Sequence, residues 1–236
     1  MRLLPLPGVF TPPSDARLLA RHLARQTRPD TKVLDLCTGS GYLAIAAALA
    51  GAREVTAVDV LPRAVIATRL NARLNGTRVN ALLGDLFAPV RGRRFDVIVS
   101  NPPYVPSPHA SLPTRGVSRA WEAGRSGRQF VDRICAGAAD HLTDGGVLLL
   151  VHSSVCGERA TIKTLAREGL EATVLDRSRG PLGPILRARA DWLRRNGLIG
   201  ECDEEELLVI RAQRPIVSHA CGDATPRTPG ARVRAR

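Results

Sequence analysis

A chain of 236 residues with 44% apolar side chains can bury the core of one α/β sheet, so a single domain is expected over residues 1–214. Its formal charge of +12, almost all of it arginine because Lys32 and Lys163 are the only lysines, favours acidic partners such as RNA, DNA or ribosomal RNA complexes without naming one. The five cysteines form no C-x-x-C pair, "MRLLPLPGVFTPP" lacks a signal-peptide core, and the longest apolar run is too short to span a bilayer, so neither a zinc knuckle, a disulfide framework nor a membrane anchor is expected, and a cytoplasmic setting is.

In chain order, Pro12, Pro13 and Ser14 offer a stop and cap before a helix over 15–26, with Leu18, Leu19, His22 and Leu23 on one face. "KVLDLCTGSG" follows: Val33, Leu34 and Leu36 make a short buried strand that the glycines end. A nearly all-apolar helix from Tyr42 is closed by Gly51. The strand "EVTAVDV" leads to Pro62, well placed in a first helical turn, and Ile66, Leu70 and Leu74 recur every four residues before Gly76. "NALLGDLF" is a third strand and turn, "FDVIVS" a fourth strand and "GVLLLVHS" a fifth, with a helix over 127–142 before it. After a helix over 158–169 come the strands "EATVLD" and "ELLVIRA". Between them lies an insertion at about 178–206, with one basic helix expected from Ile185 to Arg195. The polar, Arg-rich tail, 215–236, is expected to be disordered. Alternation of strand and helix from Lys32 to Leu150 predicts a mainly parallel sheet with helices on both faces.

Open parallel sheets bind ligands at the carboxyl ends of their strands, and the unusual clusters lie there. In "DLCTGSG", Gly39 and Gly41 let the backbone approach a ligand, and Asp59 ends the second strand where ribose hydroxyls can be bound. "GSGYLA" also satisfies a dinucleotide fingerprint, so these two clusters name a nucleoside but not its chemistry. In "GDLF", Asp85 can accept from an adenine amino group while Leu86 packs on the ring. The fourth strand runs into "SNPPYVP". Asn101 and the Pro102 carbonyl supply two acceptors and Tyr104 a flat face, which suits a planar –NH2: a glutamine amide, adenine N6 or cytosine N4. Holding both hydrogens orients a weakly nucleophilic nitrogen for attack on a sulfonium methyl, and hydride transfer has no use for that grip.

"LDLCTGSG", "AVDV", "GDLF" and "SNPPYVP" together resemble the Rossmann-like class I methyltransferases that use S-adenosyl-L-methionine and carry the N-P-P-Y motif. More narrowly, "GVFTPPSDARLL" and "AWEAGRSGRQFVDR" are similar to stretches of the HemK family, the release-factor glutamine N5-methyltransferases, in its short eukaryotic and archaeal form. The resemblance implies a seven-stranded sheet, mainly parallel with the last strand reversed. It implies that Asp15, Asp35, Gly39, Gly41, Asp59, Asp85, Leu86 and Asn101 serve the cofactor, and that Asn101, Pro102 and Tyr104 are catalytic and hold the substrate amide. The implied substrate is the glutamine of a release factor's Gly-Gly-Gln loop, and short relatives often work with a small activator subunit. Ala16 departs from the family's Thr or Ser, and the insertion departs from its usual short hairpin.

An adenine N6-methyltransferase on RNA or DNA is the alternative substrate reading. A nicotinamide oxidoreductase and a non-catalytic RNA-binding module are the remote ones, and neither explains Asn101 to Tyr104. Cys37 reads as a small buried filler and His152 as a satisfied loop histidine, while Trp121 either covers the substrate entrance or packs in the core. No metal-spaced set of ligands is present, so no catalytic metal is expected.

Overall fold

Strand β1 (Lys32–Leu36) sits at the centre of the sheet because its apolar residues are covered on both faces. It pairs in parallel with β2 (Glu54–Asp59) on one side and β4 (Phe95–Ser100) on the other. In this computed structural model, which describes residues 1–6, 8–9, 14–109, 111–113 and 116–216, the sheet is completed by β3 (Asn80–Leu83), β5 (Leu142–Ser153), β6 (Glu171–Pro181) and β7 (Glu204–Gln213). The strand order is β3-β2-β1-β4-β5-β7-β6, with only β7 antiparallel to its neighbours. The expected seven-stranded sheet with its last strand reversed is therefore present. The proposed cap at Pro12 and Pro13 and the tail from Val217 lie outside the described residues.

Alternation along the strands divides the core in two. Leu34, Leu36, Ile98, Leu148 and Leu150 face one side, against Val131, Ile134 and Ala138 of α4 (Gln129–His141) and Leu165 of α5 (Glu158–Arg167). Val33, Val97, Val99 and Leu149 face the other, against Leu18, Leu19 and Leu23 of α1 (Ser14–Gln26) and Leu43, Ala44 and Ala47 of α2 (Tyr42–Leu49). The apolar face read for α1 is buried as expected, and His22 within it is bonded to Asp176 at 2.8 Å.

Helix α3 (Pro62–Leu74) starts at its proline, but Ile66, Leu70 and Leu74 point outward. Its buried face is Ala64, Val65, Ala67, Thr68, Asn71 and Ala72. The reason is close approach: a Cβ on Gly41 would lie 2.9 Å from Thr68 Cγ2, so the helix seats through small side chains rather than leucines.

The hairpin of β6 and β7 extends into both ends of the insertion, leaving 182–203 between the strands. That segment holds two short helices, α6 (Pro184–Ala188) and α7 (Ala190–Arg195), rather than the single helix expected. The break is at Arg189, whose guanidinium is drawn back to the Pro106 carbonyl at 2.7 Å and to the Glu122 carboxylate. Leu182, Leu186 and Leu193 pack with Val105 and Val155, so the insertion is folded against the loop that follows β4.

Candidate active site

The register between β1 and β4 brings the two principal motifs together. Leu36 pairs with Ser100, so the glycine turn that begins at Cys37 and the Asn101–Tyr104 segment leave the sheet side by side. The strand order reverses at this point, which is where an open α/β sheet presents a crevice. A cleft opens there, walled by Thr38, Gly39, Ser40, Asp59, Leu86 and Asn101.

Gly39 and Gly41 both occupy left-handed backbone, with φ of 55° and 84°. Beneath them Asp35 is fully buried; its Oδ2 accepts from Thr38 Oγ1 at 2.6 Å and from the Ala44 amide at 3.0 Å, tying the turn to α2. Its Oδ1 has no partner. Burial raises its pKa to about 7 against the opposing pull of those two bonds. Asp35 thus lies under the turn and braces it, outside the cleft wall.

Asp59 lies in the wall. Its Oδ2 accepts from the Gly39 amide and its Oδ1 from the Leu61 amide, each at 2.9 Å. A carboxylate has about four lone-pair sites, so each oxygen keeps capacity for a further donor. Burial pushes this carboxyl's pKa up, and the backbone amides pull it down. Asp85 and Leu86 line the same cleft after β3; Asp85 is paired with Arg133 at 2.6 Å, and Leu86 is buried with a φ of 48°. Such left-handed backbone in a non-glycine residue costs energy and is found at functional sites. Cys37, read as a filler, also lines the cleft.

Asn101 is held from the side by α1. Asp15 is almost fully buried, and its Oδ2 accepts from Asn101 Nδ2 at 3.1 Å and from the Tyr104 hydroxyl at 2.9 Å. Its Oδ1 accepts from the Ala16 amide at 2.8 Å. This acceptor takes the nitrogen end of the Asn101 amide, so the carbonyl end is the one left for a ligand. Burial, together with the negative charge of Asp15, drives the Tyr104 pKa well above its ordinary value, keeping it a neutral donor. Asp15, grouped from sequence with the cofactor residues, is placed against the Asn101–Tyr104 pair.

A second cavity of about 180 Å³ also borders Asn101, lined by Asp15, Pro102, Tyr104, Trp121, Ile185 and Glu205 among others. Asn101, Pro103 and Ala120 border both spaces. Trp121 thus belongs to the cavity wall as well as to the apolar cluster beneath the insertion. His152 belongs to neither space. It is buried in β5, bonded to Thr161 and to the Ser153 carbonyl, and its burial lowers its pKa to about 4.

Val9, in the stretch "GVFTPPSDARLL" singled out from sequence, reaches the cleft because the N-terminal segment is fastened along α3, where Asn75 accepts from the Arg2 amide and Asn71 from the Leu4 amide. Other residues at the site carried little sequence signal. Asn71, fully buried, also donates to the Ser40 carbonyl at 2.9 Å. Arg189 and Glu122 lie 67 positions apart and become partners only in the folded chain. Glu205 stands in an acidic run where nothing local separates it from its neighbours.

Residues 1–115 match the methyltransferase small domain family. A Methanocaldococcus jannaschii protein provisionally named a protein N5-glutamine methyltransferase is 33% identical over 180 residues, covering 76% of this chain and 90% of its own. The Geobacter sulfurreducens release factor glutamine methyltransferase is 34% identical over 61% of this chain; the match spans about half, 53%, of that longer protein. Among solved structures, a chain of the E. cuniculi Mtq2-Trm112 complex, responsible for methylation of the eRF1 termination factor, superposes with a TM-score of 0.58. At 22% identity, over 88% of this chain and 99% of that one, it establishes a shared fold.

Proposed function

The chain belongs to the HemK family of S-adenosylmethionine-dependent N-methyltransferases, and we propose that it methylates a glutamine side-chain nitrogen of a peptide-chain release factor. The observation that carries this reading is the position of Asn101 between two spaces, with its amide nitrogen tied down by Asp15.

The cleft residues fit the cofactor. Asp59 retains acceptor capacity for two ribose hydroxyls while its other contacts stiffen the glycine turn. The left-handed turn brings backbone amides close to the methionine end, and Asp85 and Leu86 suit an adenine amino group and ring. When bound, S-adenosylmethionine supplies an electrophilic methyl on sulfur. The remaining work falls to the protein. Asn101 Oδ1 and the Pro102 carbonyl accept the two amide hydrogens of the target glutamine. That grip holds the nitrogen plane still and raises electron density on a group whose lone pair is otherwise delocalised. Tyr104 braces Asp15, so the direction of the Asn101 amide is set before substrate arrives. None of these steps needs a general base of unusual pKa, because a methylated amide nitrogen sheds its proton to water.

A release factor fits the second cavity, whose wall is largely apolar and whose charged members, Asp15 and Glu205, are acidic. A small activator subunit is part of the proposal, given the two-protein complex to which the fold is similar. No helix among the described residues is long and apolar enough to cross a membrane, and we place the protein in the cytoplasm with its substrate. The test is mass spectrometry of purified release factors and of total RNA after incubation with the enzyme and labelled methyl donor. Label on a release-factor glutamine is expected. Label on adenine, with none on protein, would overturn the substrate assignment.

A further inference from the structure

Strand β7 opens with Glu204, Glu205 and Glu206, and pleating sends the middle one inward. Glu204 and Glu206 are paired with Arg179 and Arg177 on the outside of the hairpin. Glu205 lines the second cavity. Its Oε1 accepts from the Gly183 amide at 2.9 Å, which sets the carboxylate beside the first turn of α6. Its Oε2 is shielded from water and has no partner. An acceptor left so is costly, and a ligand donor that reaches this oxygen relieves the cost.

The other carboxylate of the cavity is already committed to the protein. Both oxygens of Asp15 are engaged, by the Ala16 amide on one side and by Asn101 and Tyr104 on the other. The rest of the wall named above, Pro102, Trp121 and Ile185, offers no charge, and no Arg or Lys among the described residues lines the cavity. A nucleobase entering here would carry its phosphates toward two carboxylates with no cation between them. A peptide brings backbone N–H groups, one residue away from the target side chain.

We propose that Glu205 is a specificity-determining residue that selects a peptide substrate by accepting a backbone N–H beside the target glutamine. The inference rests on the glutamine reading and adds to it the group that distinguishes peptide from nucleic acid. The role belongs to this chain's hairpin, because β7 supplies Glu205 and the insertion supplies Gly183 and Ile185 opposite.

Steady-state kinetics with release factor, a Gly-Gly-Gln peptide and an adenine oligonucleotide test it, using wild type, Glu205→Gln and Glu204→Gln. Glutamine keeps the size of the side chain and can still accept from Gly183, so folding and donor affinity, both measured, should be retained. Losing one charge-assisted bond should raise KM for the protein and the peptide roughly tenfold or more in Glu205→Gln, with kcat within about threefold. Glu204→Gln should behave as wild type. An unchanged KM in Glu205→Gln, or a loss confined to kcat, overturns the role of Glu205 and leaves glutamine methylation standing. A wild-type enzyme that methylates the oligonucleotide, or neither protein nor peptide, overturns the substrate reading and this inference with it.

Discussion

Replacing Asp15 by asparagine is the most informative perturbation of the site. The aspartate accepts three hydrogen bonds in a nearly dry setting, two of them at Oδ2 from Asn101 and Tyr104. Asparagine has one oxygen, and its –NH2 end accepts nothing. Whichever way it turns, either the Ala16 amide or the Asn101–Tyr104 pair loses its acceptor. The pair is the weaker holder, since an N–H of the introduced asparagine facing Asn101 would favour rotation of that amide and turn its oxygen away from substrate. A bond to a charged acceptor contributes about 1.5–3 kcal/mol. At about 1.4 kcal/mol per factor of ten, turnover should fall roughly 10- to 100-fold. The assay is single-turnover methyl transfer at saturating donor, with donor affinity measured separately by calorimetry. Turnover within twofold of wild type, or a loss fully explained by donor affinity, would refute the claim that Asp15 sets the direction of the Asn101 amide.

Other substitutions probe the cofactor cleft, the insertion and the buried acid beneath the glycine turn. Asp59→Ala removes the proposed ribose acceptor and leaves the Gly39 and Leu61 amides without that partner, so donor affinity should fall about 100-fold or more; calorimetry giving unchanged affinity would count against the ribose role. Arg189→Ala leaves Glu122 charged and mostly buried without its partner, which should cost about 3–5 kcal/mol and expose 182–203 to limited proteolysis; denaturant melts unaltered from wild type would contradict the clamp. Asp35 has a folded pKa of about 7, raised above its unfolded value, so the folded state holds the extra proton between about pH 4 and 7 and stability declines as pH rises through that window. His152, depressed to about 4, acts in the opposite sense over nearly the same window, so the wild-type profile alone is uninformative. The difference between Asp35→Asn and wild type isolates the aspartate: the variant should gain on wild type by up to about 4 kcal/mol from pH 4 to 7, and a flat difference would exclude the shift.

The sequence showed most clearly what depends on local pattern. Apolar runs punctuated by glycine and proline located the strands of the sheet, and the Asn101–Tyr104 cluster stood out because packing alone does not explain it. Contacts between distant segments were less visible. Helix α3 shows a leucine row at helical spacing, yet it buries the opposite face, because the glycine turn admits only small side chains near Thr68. The insertion reads as one helix by propensity, and the bonds of Arg189 to Pro106 and Glu122 interrupt it. Asp15 stands in a motif that suggests the cofactor; its contact with Asn101 spans 86 positions and depends on how α1 packs across the sheet. Glu205 could have been separated from its neighbours only with the hairpin register in hand.

In the proposed mechanism Asn101 and the Pro102 carbonyl grip an amide nitrogen beside the bound donor. Single-turnover transfer of labelled methyl to a release factor, in wild type and Asn101→Ala at saturating donor, measures it directly. Label on a glutamine side-chain nitrogen is expected with wild type, with a rate lower by at least about 100-fold in the variant and donor affinity within a few-fold. Equal rates in the two proteins, or label on any other kind of atom, would contradict it.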